Sequence, residues 1–280
     1  MSQGQTPDPA YVMGRSAEET NGLARRAEFF HRTTRLLFED AGIATGMKVL
    51  DIGSGAGDVS FLAAHLVGST GQVVGVDMNP AVVEEAQARA RDAGLTHVSF
   101  VPGDVREIEL DTPFDAVVGR LVLMYSADPA APLRAAARFV RAGGVAAFYE
   151  MSFDTEVMSL PLSPRHQFLG YCVGETFKRS GVEISMGLKL HRVFVEAGFE
   201  APHMYTDALV GGGREFVEGF ASAFAANMLR SMMPLILEHG VATEEELGID
   251  TFDQRYVDEV LEHQSVIQWF PFVAAWGRKL

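Results

Sequence analysis

The chain has 280 residues, of which 48% are hydrophobic and 21% charged, a formal net charge of −14 and one cysteine. That length and apolar fraction exclude a disordered polymer and allow one α/β core with additions. The negative charge argues against a nucleic-acid substrate, because neutralising phosphates needs clustered Lys and Arg.

Cys172 has no partner for an internal disulfide and reads as a small buried apolar residue, and no Cys–His cluster has zinc spacing, so no metal is expected. No apolar run reaches bilayer length, and residues 1–8 are polar without a basic-then-apolar leader pattern. A cytoplasmic protein is expected.

Residues 1–15 read as a mobile arm. Residues 16–40 read as one or two helices before Gly42, with an apolar stripe at Leu23, Ala27, Phe30 and Leu37. Arg25, Arg26, Arg32 and Arg35 interleave there with Glu18, Glu19, Glu28 and Glu39, the pattern of a salt-bridged exposed face.

Residues 49–57 then read Val-Leu-Asp-Ile-Gly-Ser-Gly-Ala-Gly, a strand that ends in Asp51 and runs into glycines at alternate positions. Gly53, Gly55 and Gly57 bare the backbone where it must turn and approach a ligand, and helical register resumes at Asp58. A strand, a bare turn and a helix N-terminus form a small-molecule cradle. In the dinucleotide fingerprint a third glycine follows the second by three positions, for close helix–strand packing. Here that position is Asp58, which disfavours a pyrophosphate.

Residues 72–77 form a second strand ending in Asp77, roughly 20 residues past the glycines, where a carboxylate can accept hydrogen bonds from ribose hydroxyls. Asn79-Pro80 caps and opens the next helix. Residues 98–101 are a third strand, ended by Pro102-Gly103-Asp104-Val105, and residues 114–120 a fourth, running on to Tyr125. A helix from Asp128 to Arg141 is expected to stop at Gly143-Gly144, before a fifth strand over residues 144–149.

Beyond it, residues 159–164 read as a loop, 165–179 and 186–197 as helices, and 200–210 as a sixth strand. Residues 214–237 read as a long helix with Phe216, Phe220, Phe224, Met228 and Met232 at four-residue intervals, kinked or restarted at Pro234. An acidic linker over 243–250, a helix over 252–262 and a last strand over 265–279 complete the chain.

Asp51-x-Gly53-x-Gly55-x-Gly57, the acid Asp77, Gly103-Asp104 and Phe114-Asp115-x-Val117 together resemble class I S-adenosylmethionine-dependent methyltransferases of the small-molecule (type 11, ubiquinone-menaquinone methyltransferase-like) group, over about residues 47–150. The resemblance implies an α/β fold, a three-layer sandwich with a mostly parallel seven-stranded sheet. Its expected order is 3-2-1-4-5-7-6, with the last strand antiparallel and helical lid insertions added. On that plan residues 1–45 are an N-terminal helical lid, 46–152 the cofactor-binding core, 153–185 an inserted helical lid, 186–213 a core helix and strand, 214–263 a second inserted lid, and 264–280 the closing strand.

By the same resemblance the cofactor is S-adenosylmethionine. Asp51, Gly53, Ser54, Gly55 and Gly57 would lie under its methionine part, Asp77 on the ribose and Met78 on the adenine. Gly103, Asp104 and Val105 would meet the adenine amino group and ring. Arg120 would reach either a substrate carboxylate or a carbonyl of the cofactor loop. Tyr11, in a segment resembling one that precedes the core in bacterial relatives, is the candidate to cover the cofactor.

Methyl transfer from a sulfonium is an in-line displacement governed by alignment and exclusion of water, so the motifs do not name the acceptor. The expected substrate is a small hydrophobic metabolite of quinone, lipid or secondary-metabolite type, for which the Phe and Met stripe suits an adaptable pocket. Oxygen is the first expected acceptor, then carbon, then nitrogen. A hydroxyl acceptor is helped by a base, and His31, His166 and Tyr125 are the candidates, with Glu150 also placed at a strand end.

Two alternatives remain open: a cyclisation in which the sulfonium serves as a charge, and an NAD-dependent oxidoreductase, which Asp58 weakens. The expected partner is a small-molecule substrate, with no nucleic acid and no membrane span, in a monomer or homodimer.

Overall fold

In the computed structural model, which describes residues 20–111 and 113–280, the elements alternate as the periodicity requires. They run α1 (Thr20–Asp40), β1 (Lys48–Ile52), α2 (Asp58–Val67), β2 (Gln72–Asp77), α3 (Pro80–Asp92), β3 (Val98–Pro102), β4 (Phe114–Arg120), α4 (Ala130–Ala137) and β5 (Val140–Met151). Then follow β6 (Met158–Leu160), α5 (Pro164–Arg179), α6 (Met186–Glu196), β7 (His203–Asp207), β8 (Val210–Gly211), α7 (Arg214–Phe220), α8 (Ala226–Glu238), α9 (Glu244–Leu247), α10 (Phe252–Glu262), β9 (Val266–Gln268) and β10 (Phe272–Arg278). The described residues form two compact units: a sheet unit within residues 31–150, 186–206 and 273–280, and a helical unit within residues 20–30, 151–185 and 207–272.

The main sheet has seven strands in the order β3-β2-β1-β4-β5-β10-β7. With three short strands of a separate sheet left out of the count, this is the expected 3-2-1-4-5-7-6. β1, β2, β3, β4 and β5 pair in parallel. β10 runs antiparallel to β5, since Lys279 bonds Gly144 at one end and Pro271 bonds Ser152 at the other.

Strands covered on both faces by helices must be apolar throughout. Val49, Leu50, Ala116, Val117 and Val118 are accordingly without exposure, each larger side chain contributing about 2 kcal/mol of burial. Asn79 caps α3 as expected, its side chain accepting from the Ala81 amide at 3.1 Å with Pro80 in the first turn. The Arg35–Glu39 pair at 2.8 Å is one rung of the charged face of α1. Cys172 is buried, and burial pushes its thiol up to about 12.

Four boundaries differ from expectation. Helix α4 ends at Ala137, and Gly143-Gly144 lie inside β5 rather than stopping a helix. The β4–β5 register steps from Phe114↔Val140 to Ala116↔Val145, so the glycine pair forms a bulge. A Cβ on Gly144 would stand 2.8 Å from the Asp115 carbonyl, which is why glycine is needed there.

The last strand is broken into β9 and β10 around Pro271, which has no N–H to donate to a ladder. Residues 158–160, expected as loop, are β6, and with β9 and β8 they make the three-stranded second sheet β6-β9-β8. The expected acidic linker contains α9, closed by a capping box between Thr243 and Glu246.

In the helical unit, the expected long helix is two helices joined by a π-turn over Ala221–Ala225, and Pro234 lies inside α8 without ending it. Residues four apart advance about 40° around an α-helix, so a strict four-residue stripe drifts off one face. A π-turn, with i→i+5 bonding, takes up an extra residue and rotates the stripe back. Phe220, Phe224, Met228 and Met232 are thereby all buried. Among the described residues no helix is long and apolar enough to cross a membrane, and no His, Cys, Asp and Glu group is arranged to hold a metal.

Candidate functional site

The carboxyl end of β1 delivers Asp51 into the interior of the sheet unit, at 1% exposure. Its Oδ2 accepts the Ser60 hydroxyl at 2.6 Å, while Oδ1 is buried without a partner. Burial pushes the carboxyl up to about 7, against the opposing pull of Ser60 and of the Arg120 charge. Arg120 ends β4 and donates to Thr34 Oγ1 at 3.3 Å.

The glycine loop follows. Gly53 has φ +64°, and a Cβ there would collide with the Val122 side chain. Gly55 has φ +53° with nothing within 4 Å of a built Cβ, so the loop opens onto free space at its middle. Gly57 is the left-handed N-cap of α2. Ser54 donates its amide to the Val76 carbonyl at 3.0 Å, and its hydroxyl is buried without a partner.

Asp77, at the end of β2, binds this loop directly. One carboxylate oxygen accepts the Gly55 amide at 2.9 Å and the other accepts the Asn79 amide at 2.9 Å. A carboxylate offers about four lone-pair sites, so half-buried Asp77 retains acceptor capacity. Its backbone carbonyl takes the Gly103 amide at 2.9 Å, which ties in the third segment.

Asp104 is clasped by Arg106, which donates its amide at 2.9 Å, Nε at 2.8 and 2.9 Å and Nη2 at 2.5 Å. Burial opposes ionisation of Asp104, but these bonds outweigh it and hold the carboxyl below its usual range. Val105 is buried with its carbonyl 3.3 Å from Arg138 Nη2, and the Met78 side chain is exposed. Asp58, in the place of the fingerprint's third glycine, is a surface ion pair with Arg89 at 2.8 Å. Arg89 also donates to the Ala56 carbonyl at 2.6 Å and stands over the Phe61 ring.

The expected bases fare differently. Tyr11 lies outside the described residues. His31 is exposed on α1, and Tyr125 is half-buried at the end of a 3₁₀ turn, Leu123–Tyr125, that follows β4.

His166 belongs to the helical unit and is fully buried. Its Nε2 lies 2.9 Å from the Gln268 carbonyl and its Nδ1 2.9 Å from the Tyr256 hydroxyl. A carbonyl only accepts, so Nε2 carries the proton and Nδ1 accepts from Tyr256. Phe220 and Trp269 pack around the ring, and burial lowers its pKa. Both ring nitrogens are thus bonded, and in this arrangement His166 is a packing junction.

A family model described as a methyltransferase domain matches residues 43–198. The chain belongs to this methyltransferase-domain family. The matched span holds the glycine loop, Asp77, Asp104, Arg120 and Glu150. The ubiquinone/menaquinone biosynthesis C-methyltransferase UbiE of Cellvibrio japonicus is 36% identical over 112 residues, 39% of this chain and 45% of that protein. The aklanonic acid methyltransferase DauC of a Streptomyces species is 36% identical over 127 residues, 43% and 56% of the two chains.

The chain thus spans about half the length of the curated relatives it matches. Among solved structures, the [4+2]-cyclase SpnF superposes with a TM-score of 0.54 at 19% identity, covering 97% of this chain and 89% of that one. That likeness is one of fold.

In this methyltransferase-domain chain, sequence reasoning did not find the partners of the motif acids. Arg89 and Arg106 are placed by the fold, and only the Asp104-x-Arg106 spacing offered a local signal. Glu150, noted in sequence as a strand-end acid, is fully buried at the end of β5. Its Oε1 accepts the amides of Val122 at 3.0 Å and Leu123 at 2.8 Å.

Proposed function

We propose that this methyltransferase-family protein binds S-adenosylmethionine on the glycine loop and transfers its methyl group to a small hydrophobic metabolite. The observation that carries the reading is Asp77, which holds the Gly55 amide of an open glycine loop while keeping lone pairs for two ribose hydroxyls. The donor set also fits the rest of the group. Asp51 Oδ1 and Ser54 Oγ are buried acceptors without partners at the loop, suited to a cationic ammonium.

S-adenosylmethionine supplies an electrophilic methyl group on a sulfonium when bound. The chain's own contribution is placement. Bare backbone at Gly53 and Gly55 admits the methionine part, Asp77 fixes the ribose, exposed Met78 offers an apolar contact to adenine, and Asp104, both of whose oxygens Arg106 engages, meets the adenine amino group by exchanging one of those bonds. Arg120 faces the Asp51 charge and balances it. Alignment of this kind is worth orders of magnitude in rate without a dedicated base, in keeping with a site in which His166 is fully committed elsewhere.

The Phe and Met side chains of α7 and α8 suit a hydrophobic acceptor molecule. General chemistry puts oxygen first as the acceptor atom, whereas the quinone relative is named a C-methyltransferase. Product analysis distinguishes the two. Release of S-adenosylhomocysteine during turnover separates methyl transfer from a reaction that uses the sulfonium only as a charge.

Calorimetric titration with S-adenosylhomocysteine and with NAD tests the cofactor. Wild-type protein should bind the first, and Asp77→Ala should weaken it by about tenfold or more through loss of charged acceptor bonds. Tight binding of NAD alone would overturn the assignment. Unchanged affinity in the variant would refute the ribose role.

A further inference from the structure

Glu150 is as deeply buried as any group in the sheet unit, and none of the motif roles uses it. Three observations around it connect. First, Oε1 accepts two successive backbone amides, Val122 and Leu123, and so caps the 3₁₀ turn after β4 from the neighbouring strand. Second, the residue that enters this turn, Leu121, has φ +53°, a left-handed conformation that a branched side chain adopts only when its surroundings enforce it. Third, the next side chain, Val122, fills the volume that a Cβ on Gly53 would need, and its Cγ1 lies 2.9 Å from a Cβ built on Gly119. The turn is thus wedged between β4 and the glycine loop, and the acid holds it there.

We infer that Glu150 is a positioning residue, which fixes the Leu121–Val122 turn through Oε1 and thereby seats Val122 against Gly53 of the methyl-donor loop. Calling that loop the donor loop rests on the function proposed above. The mechanical link from Glu150 to Gly53 does not. Leu121 supplies the rest of the brace, donating its amide to the Tyr149 carbonyl at 2.9 Å, one residue before Glu150. The second carboxyl oxygen, Oε2, is buried without a partner. Glutamine can therefore keep the two accepted bonds, whereas alanine abolishes them.

The test uses the full chain and two readouts, amide hydrogen exchange over residues 50–58 and 119–126 without ligand, and calorimetric affinity for S-adenosylhomocysteine. Glu150→Ala should raise exchange in both segments and weaken affinity about tenfold or more, while Glu150→Gln stays within about threefold of wild type. Val122→Ala should loosen residues 50–58 in the same way, and the double variant should lose no more affinity than the worse single one, since both act through one contact. Unchanged exchange over 50–58 in Glu150→Ala overturns the inference. So does a Gln variant as impaired as the Ala variant, or full additivity in the double variant.

Should Glu150→Ala not fold, Val122→Ala decides, because it leaves the buried acid intact, and unchanged exchange over 50–58 there also overturns the proposal. If wild-type protein binds no S-adenosylhomocysteine, the donor reading fails, and the exchange data still decide the positioning role.

Discussion

Asp51 and Glu150 in the sheet unit are as deeply buried as His166 in the helical unit, yet the two carboxyls and the imidazole are bonded in opposite ways. Each of these two carboxyls has one oxygen bonded and one without a partner. In the helical unit both nitrogens of His166 are bonded, and Ser163, the N-cap of α5, donates to Glu259 at 2.7 Å while Glu259 also takes the Arg165 amide at 2.9 Å. An unsatisfied buried acceptor costs about 1–3 kcal/mol. The unused oxygen of Asp51, next to an open glycine loop, is the one that the proposed cationic ligand would satisfy. A saturated imidazole among packed rings marks a junction that specifies one packing.

The comparison breaks most sharply at Gly53. Gly53→Ala forces a Cβ into the Val122 side chain at a positive φ. Affinity for S-adenosylhomocysteine should fall about 100-fold or more and stability by about 2–3 kcal/mol, read by calorimetry and urea unfolding. Binding that survives intact would remove the loop from the site.

Next comes His166→Ala in the helical unit. It strands the buried Tyr256 hydroxyl and the Gln268 carbonyl, so stability should drop by about 2 kcal/mol with cofactor affinity of the folded protein unchanged. A variant with unaltered stability but no turnover would return His166 to catalysis.

The remaining expected effect is a pH slope. Asp51 and Glu150 both titrate near 7 in the fold, well above the ordinary carboxylate value, because burial disfavours their charge. The native state then keeps protons that the unfolded chain releases from about pH 4 upward. Unliganded stability should fall as pH rises from about 4 to 7. Asp51→Asn, which cannot titrate, should flatten part of that fall. A variant with the wild-type slope would show that Asp51 is ionised throughout. The same linkage predicts that a cationic ligand at Asp51 binds more tightly as pH rises through that window, with proton release visible in buffers of different ionisation enthalpy.

The glycine loop and its flanking acids were legible because their signals are local. Glycines at alternate positions, an acid closing each strand and an Asn-Pro cap are all consequences of backbone geometry within a few residues. The roles of Arg89 and Glu150 were not, because each depends on a partner supplied by the register of the fold. Glu150 meets Val122 across the β4–β5 pair, and Arg89 reaches Asp58 over 31 positions of sequence. The bonding of His166 was not legible for a related reason. A histidine at a helix start carries no sign of whether a carbonyl and a tyrosine, 102 and 90 positions away, will consume its ring.

By itself the sequence determined the alternation of strands and helices and the loop of bare backbone, since periodicity and turn chemistry are written in neighbouring residues, while the fold type and the order of the seven main strands followed from the family resemblance of the motifs. Tertiary structure decided the rest. It split the last strand at Pro271, placed a bulge at Gly143-Gly144, rephased the Phe and Met stripe through a π-turn, and settled which buried polar groups are spent and which are spare. Those outcomes depend on long-range pairing and on the exclusion of water, and neither is encoded in local spacing.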